Sequence, residues 1–227
     1  MVDSKKNSLI NHNLRILYEK NTDAFLHEWR KAFPKDKSPF RINEFGIIDE
    51  DRYDAENGVL FICRETNKWR DEEFEAGCLF RGWMESITKE GLEGRGHIKE
   101  HPNMWYNIGR WITLIDNPDM STEEIAEMKT SAISAIGKIA FTNVNKVRGK
   151  EKSGDGYYQL GHSEIAGSLL KKEIDIIKPQ MIVCCGTWRP VVNLIPEYKG
   201  KLILMPHPAA RKSKIAMLDD LKSQLRR

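Results

Sequence analysis

The sequence predicts an α/β protein: a three-layer α/β/α sandwich on a central, mainly parallel sheet. Four short apolar runs, Val59–Cys63, Ile139–Thr142, Met181–Cys185 and Leu202–Met205, suit strands buried on both faces. Helical spacings separate them, and strands alternating with helices imply right-handed crossovers and a helix-covered parallel sheet. At 227 residues the chain is long enough for one sizeable core and short for two.

Taken in order, Leu14 to Ala32 places Leu14, Leu17, Tyr18, Phe25, Leu26 and Trp29 at roughly helical spacing. Pro34 to Asn57, rich in Pro, Lys, Asp and Asn, reads as a long connection. Residues 1–57 are therefore expected to be a helical extension and connection packed on the core, with the main domain spanning residues 58–227. After the first strand, helical patterns run over Leu79–Thr88, Met104–Ile115, Ser121–Ile136 and Ser163–Ile177. The last carries Ile165, Leu169, Ile174 and Ile177 as its apolar positions, and Trp105 and Trp111 read as core. Arg148 to Gly156, with its glycines and charges, reads as a loop, and helical periodicity returns after Ser213.

Composition narrows the function class. No apolar run approaches membrane length, and the first residues, Met1 to Asn7, lack the apolar segment of a signal peptide, so a cytoplasmic, non-membrane protein is expected. Cys63, Cys78 and the adjacent Cys184-Cys185 form no C-x-x-C pair; they read as small buried hydrophobes, with no disulfide framework, zinc site or other cofactor expected. A net charge of +3 is too small to imply nucleic acid, so anion binding has to come from local clusters.

Ligands of such sheets gather outside the carboxyl ends of the strands. Following the four strands are Arg64-Glu65-Thr66-Asn67, Asn143-Val144-Asn145-Lys146, Gly186-Thr187 and His207-Pro208. One carboxylate, amides and a histidine thus converge on one edge. Pro206-His207-Pro208 fixes the backbone on both sides of the imidazole, because each proline sets its own φ and restricts the residue before it. Arg211, Lys212 and Lys214 follow at once, where a polyanion can be gripped.

These strand-end segments resemble the motifs of the uracil-DNA glycosylase superfamily, most closely its compact bacterial branches, from about Val59 onward. Phe61 to Asn67 is similar to the family's first motif, with Phe80-Arg81-Gly82 where relatives have Phe-x-Gly; Phe141 to Val147 is similar to the strand ending in the base-reading Asn. Lys172 to Pro179, running into Met181 to Gly186, resembles the family's helix, proline and strand ending in glycine; Pro206 to Ala209 resembles its HPS motif. The resemblance implies a glycosylase-like domain over residues 58–227 that binds DNA; the four-cysteine iron-sulfur ligation of some relatives has no counterpart in this chain, so no cofactor is expected, and a monomer is expected.

Cleaving an N-glycosidic bond produces an oxocarbenium-like sugar and an anionic base, so the site needs a carboxylate near the sugar and donors on the departing base. The base must also be flipped into a pocket and read by its edge. By resemblance, Glu65 orients water and offsets sugar charge, and His207 donates to a base carbonyl. Asn143 reads the base edge, Phe80 stacks on the base, and the segment from Ala209 to Lys214 holds phosphates. Relatives carry a glycine before the carboxylate and a proline two residues after it, where Arg64 and Asn67 stand here, and Ala209 replaces the serine of HPS. A guanidinium in a glycine's place changes the pocket wall and points to a pyrimidine bulkier than uracil, such as a modified base in viral DNA.

Two rivals stand beside this expectation. His97-Ile98-Lys99-Glu100-His101 has the H-x-x-E-H form of some metallohydrolases, but Gly94, Gly96 and Pro102 disfavour the helix that motif requires. The other rival is a catalytically inactive, nucleic-acid-binding member of the same fold, with Arg64 and Asn67 marking a disabled site.

Overall fold

A computed structural model of the chain describes residues 2–32, 34, 42–64, 102–146, 160 and 163–227. Among them the elements run α1 (Ser4–Ala32), β1 (Gly46–Ile47), β2 (Val59–Cys63), α2 (Pro102–Asp116), α3 (Thr122–Glu127) and α4 (Thr130–Ala135). A short 3-10 turn (Ile136–Lys138) leads to β3 (Ala140–Asn143). Then come α5 (Glu164–Ile177), β4 (Met181–Cys185), α6 (Trp188–Leu194), β5 (Lys201–Met205) and α7 (Lys214–Leu225).

The protein is α/β, with one five-stranded, mostly parallel sheet in the order β1-β3-β2-β4-β5. Among the described residues β1 alone runs antiparallel, against β3; β2 pairs in parallel with β3 and β4, and β4 with β5. The helices form two packing groups. In one, α5 packs on both α1 and α6; in the other, α2 packs on α4 and α7, and α7 on α3. This arrangement is compatible with a sheet sandwiched between helical layers.

The strand runs are apolar because both faces are covered: every residue of β2 is buried, as are the last four of β4. Phe61 stacks on Trp111 with ring centroids 6.5 Å apart, and Trp105 is buried against Phe141. Local signals set several ends. Ser163 caps α5 by accepting from the Ala166 N–H at 3.3 Å, and Lys178 ends it in the left-handed region at φ 53 just before Pro179. Ser213 caps α7 in the same way as Ser163.

Three departures from the sequence reading have physical causes. Helix α1 starts ten residues before Leu14, at Ser4. Its first turns face the core with Asn7 and Asn11, which leave no apolar period but are buried and hydrogen-bonded: Asn7 donates to the Glu50 and Tyr53 carbonyls at 2.8 Å each. The segment read as a long connection contains the edge strand β1. Asn11 covers that edge, accepting from the Ile47 N–H at 2.9 Å and donating to the Ile47 carbonyl at 3.1 Å. Gly46 permits this approach, since at φ +149 a Cβ would lie 2.5 Å from the Asn11 Oδ1. Finally, the pattern over Ser121–Ile136 is broken into α3 and α4 at Met128, which is extended and whose carbonyl accepts from Arg110 Nε at 3.1 Å.

One buried polar cluster joins α1, β3 and α5. Lys146, just beyond β3, and Glu173 in α5 are both fully buried and lie 2.7 Å apart. Thr142 accepts from the Lys146 ammonium at 2.5 Å and donates to the Glu173 carboxylate at 3.2 Å, which also accepts from the Tyr18 hydroxyl at 2.5 Å. The Lys146 ammonium lies 5.2 Å from the centre of the Phe45 ring. Burial lowers the Lys146 pKa, with Glu173 opposing, and raises that of Tyr18. Losing one partner of such a pair leaves a buried charge uncompensated. Glu173→Leu is therefore expected to destabilise the fold by about 3–5 kcal/mol in denaturant titration. The double change Lys146→Met/Glu173→Leu should recover much of that loss, and an additive loss would show that the two charges act independently.

Candidate active site

The carboxyl ends of β3, β2, β4 and β5 lie side by side on one sheet edge. Chain connectivity reverses here: β2 is followed by its neighbour on one side, β3, and the chain then crosses to β4 on the other. Such a switch point opens a crevice between the two central strands, the favoured ligand position in open α/β sheets.

Hydrogen bonds among the described residues tie this edge together, including those from the Val144 and Asn145 N–H groups to the Cys63 and Arg64 carbonyls at 2.9 and 2.8 Å. Arg64, next after β2, donates from Nε to the Gly186 carbonyl at 3.1 Å, and the buried Thr187 hydroxyl donates to the Ile62 carbonyl at 2.8 Å. The Gly186 N–H donates to the Met205 carbonyl at 2.8 Å. Gly186 has φ +70, and a Cβ there would lie 3.2 Å from the His207 nitrogen, so glycine serves both the turn and the close approach of the histidine segment.

That segment is also held from α2. Asn107 donates to the Pro208 carbonyl at 2.8 Å, and Arg110 fixes Asn107 by donating to its Oδ1 at 3.2 Å. Within the segment, the Ala210 N–H bonds the His207 carbonyl at 2.8 Å, and the Ala209 N–H donates to His207 Nδ1 at 3.2 Å. An Nδ1 that accepts places the neutral ring's proton on Nε2, which leaves that nitrogen as the donor. Burial, first, and the Arg64 guanidinium, second, push the His207 pKa down to about 4. The ring is therefore a neutral donor at physiological pH.

The other anticipated residues are placed as follows. Asn143, the last residue of β3, is buried and lies opposite Cys63, so the base-reading candidate and Arg64 stand on adjacent strand ends. His207 follows β5, three strands from β3 and about 14 Å along the edge at the usual strand spacing. Arg211 and Lys212 are exposed. Lys214 is committed elsewhere, with its ammonium 2.6 Å from Glu127 and bonded to the Ala126 carbonyl at 3.0 Å. Glu65, Asn67, Phe80, Cys78, the Leu79–Thr88 helix, the Arg148–Gly156 loop and the string from His97 to His101 lie outside the described residues.

Sequence reasoning placed Thr187 at this edge without its hydrogen bond to Ile62, and it missed Asn107, Arg110 and the Lys146–Glu173 cluster beneath the edge. Glu173 carried a signal, being a carboxylate within the buried stripe Ala166, Leu169, Leu170, Ile174 and Ile177 of α5. Cys63, Cys184 and Cys185 are free and buried, and burial raises the Cys184 thiol to about 12, so it packs rather than attacks. Among the described residues no cluster of His, Cys, Asp and Glu is arranged to hold a metal ion, and no helix is long and apolar enough to cross a membrane. No family model matches the chain, and no curated protein matches it either.

The His207 environment generates a prediction that needs no substrate. By NMR, the His207 ring should titrate near 4, and Arg64→Ala should move it upward toward the ordinary 6.5. Between those values the unfolded chain binds a proton that the folded state refuses, so this group lowers stability as pH falls through that window. His207→Ala should remove that part of the acid loss; a ring titrating near 6.5 in the wild type would mean that it stands in open water.

Proposed function

We propose that the chain is a monofunctional DNA glycosylase of the uracil-DNA glycosylase superfamily, with that family's α/β/α sandwich, which flips a pyrimidine out of DNA and excises it. The observation that supports this reading best is His207: a neutral imidazole with its donor on Nε2, beside a guanidinium at the switch point of a parallel sheet. Breaking the C1′–N bond leaves the electron pair on the base. A neutral donor with a depressed pKa stabilises the resulting anion without competing for a proton at the start. Water, oriented by Glu65, attacks the sugar carbon; its oxygen stays on C1′ and a proton ends on the departing base, giving an abasic site.

Arg64 supports a substrate other than plain uracil. It is half-buried and linked to Gly186, so the strand-end edge carries a guanidinium where relatives have hydrogen. A pyrimidine with an additional polar group brings a further acceptor to a guanidinium rich in donors, in repair or in defence against modified viral DNA. Arg64 also favours the second reading, a DNA-binding member of the fold that does no chemistry.

An abasic-site cleavage assay on DNA carrying uracil or modified pyrimidines, viral genomic DNA included, separates the two. Excision of a modified pyrimidine is expected, reduced about 10²- to 10⁴-fold by Glu65→Gln and about 10²-fold by His207→Ala. Arg64→Gly should slow the modified substrate and leave any uracil activity equal or improved. Tight DNA binding with no abasic product from any substrate would establish the binding-only reading.

The electrostatic part is tested separately. If Arg211 and Lys212 hold phosphates, their joint replacement by Ala should flatten the log-log salt dependence of DNA binding by about 0.7 to 0.9 for each phosphate no longer neutralised. An unchanged slope would assign them to the solvated surface.

A further inference from the structure

We propose that Trp188, together with Arg189, is a stacking platform for an unpaired DNA base beside the strand-end site, so that single-stranded or locally opened DNA is the form this chain grips. The inference rests on the DNA reading above and names the form of nucleic acid that the same edge takes.

The backbone leading to Trp188 is fixed at the site itself. Gly186 is bonded to Met205 and Arg64, and the buried Thr187 to Ile62, so α6 begins at the switch point with Trp188 as its first residue. The inward position of this helix is filled by Val191, which is fully buried, whereas Trp188 and Val192, one turn apart, are 46% and 40% exposed. Trp188 is the one exposed large aromatic among the described residues, while Trp29, Trp105 and Trp111 are all buried. Leaving an indole in water forgoes the largest burial gain of any side chain, which marks it as a contact for something else.

The charges around it select the occupant. The Arg189 guanidinium lies 5.3 Å from the centre of the Trp188 ring, and Arg64, Arg211 and Lys212 follow the neighbouring strands on the same edge. An indole paired with a guanidinium suits a nucleobase with its phosphate, since every base presents a π-face and the backbone is anionic. A second copy of this edge would bring like charges together. A base within a duplex has both faces stacked, so the platform requires an unpaired one.

The test is binding of a fluorescein-labelled oligothymidylate single strand to the full chain, read by anisotropy at fixed salt. Trp188→Ala should weaken binding about 5- to 100-fold, the range expected for removing one base stack, with an unchanged salt slope because every phosphate partner is kept. Trp188→Phe should retain most of the affinity, and because the ring is exposed, both variants should melt with the wild type. Wild-type affinity in Trp188→Ala, with weakened binding in Arg211→Ala/Lys212→Ala, would overturn the platform and leave the DNA reading standing. A wild type that binds neither the single strand nor a duplex would remove both. Self-association that is abolished by Trp188→Ala while DNA binding is unaffected would assign the indole to a homodimer and overturn the proposal.

Discussion

The ion pair between Lys146 and Glu173 is the constraint on which the rest of the arrangement depends. An ammonium with no exposure is tolerable only when its carboxylate partner and remaining hydrogen-bond sites are in place. Meeting that requirement brings α5, β3 and, through Tyr18, the N-terminal helix to one point. The Lys146 carbonyl also accepts from the Asn43 N–H at 2.7 Å, which anchors the segment entering β1. Because Lys146 stands three residues after Asn143, the same cluster holds the carboxyl end of β3 where the candidate site begins.

The site itself depends on a second feature of the geometry. Parallel pairing aligns four strand ends, and the reversal of connectivity at β2 parts the chains that leave β2 and β4. Arg64 and Thr187 span the resulting gap by side chain, and Gly186 joins β4 to β5 by backbone. His207 is therefore set in a half-buried position next to a fixed cation. That environment, rather than the residue type, makes its imidazole a neutral donor. The Cys184 thiol at this edge is removed from water and pushed up to about 12, so it packs rather than attacks.

Much of the fold was legible because its signals are local. Val59–Cys63 and Met181–Cys185 read as strands to the residue, since continuous apolar runs of that length suit a covered parallel sheet. Ser163, Lys178 and Pro179 bracket α5 through contacts with immediate neighbours. The edge on which Asn143, Arg64 and His207 stand was legible for the same reason: a parallel sheet places the residue after every strand on one side. By contrast, β1 is two residues long and carries no period, and the first turns of α1 bury two asparagines, Asn7 and Asn11, with Ile10 the one apolar residue among them. Nothing near Met128 in sequence breaks a helix; its carbonyl is taken by Arg110, eighteen residues earlier.

The sequence by itself determined the strand and helix alternation, the sheet it implies and the alignment of polar residues at strand ends, because each follows from periodicity and from residues a few positions apart. Tertiary structure alone decided the partners: Tyr18 with Glu173 across 155 positions, Arg64 with Gly186 across 122, and Asn107 with Pro208 across 101. A buried polar group must be satisfied, but many partners in a chain this charged could satisfy it, and only the packed geometry selects one. For the same reason the protonation of His207 belongs to the fold, since a pKa is set by the solvent and charge around the ring and neither is written in the neighbouring prolines.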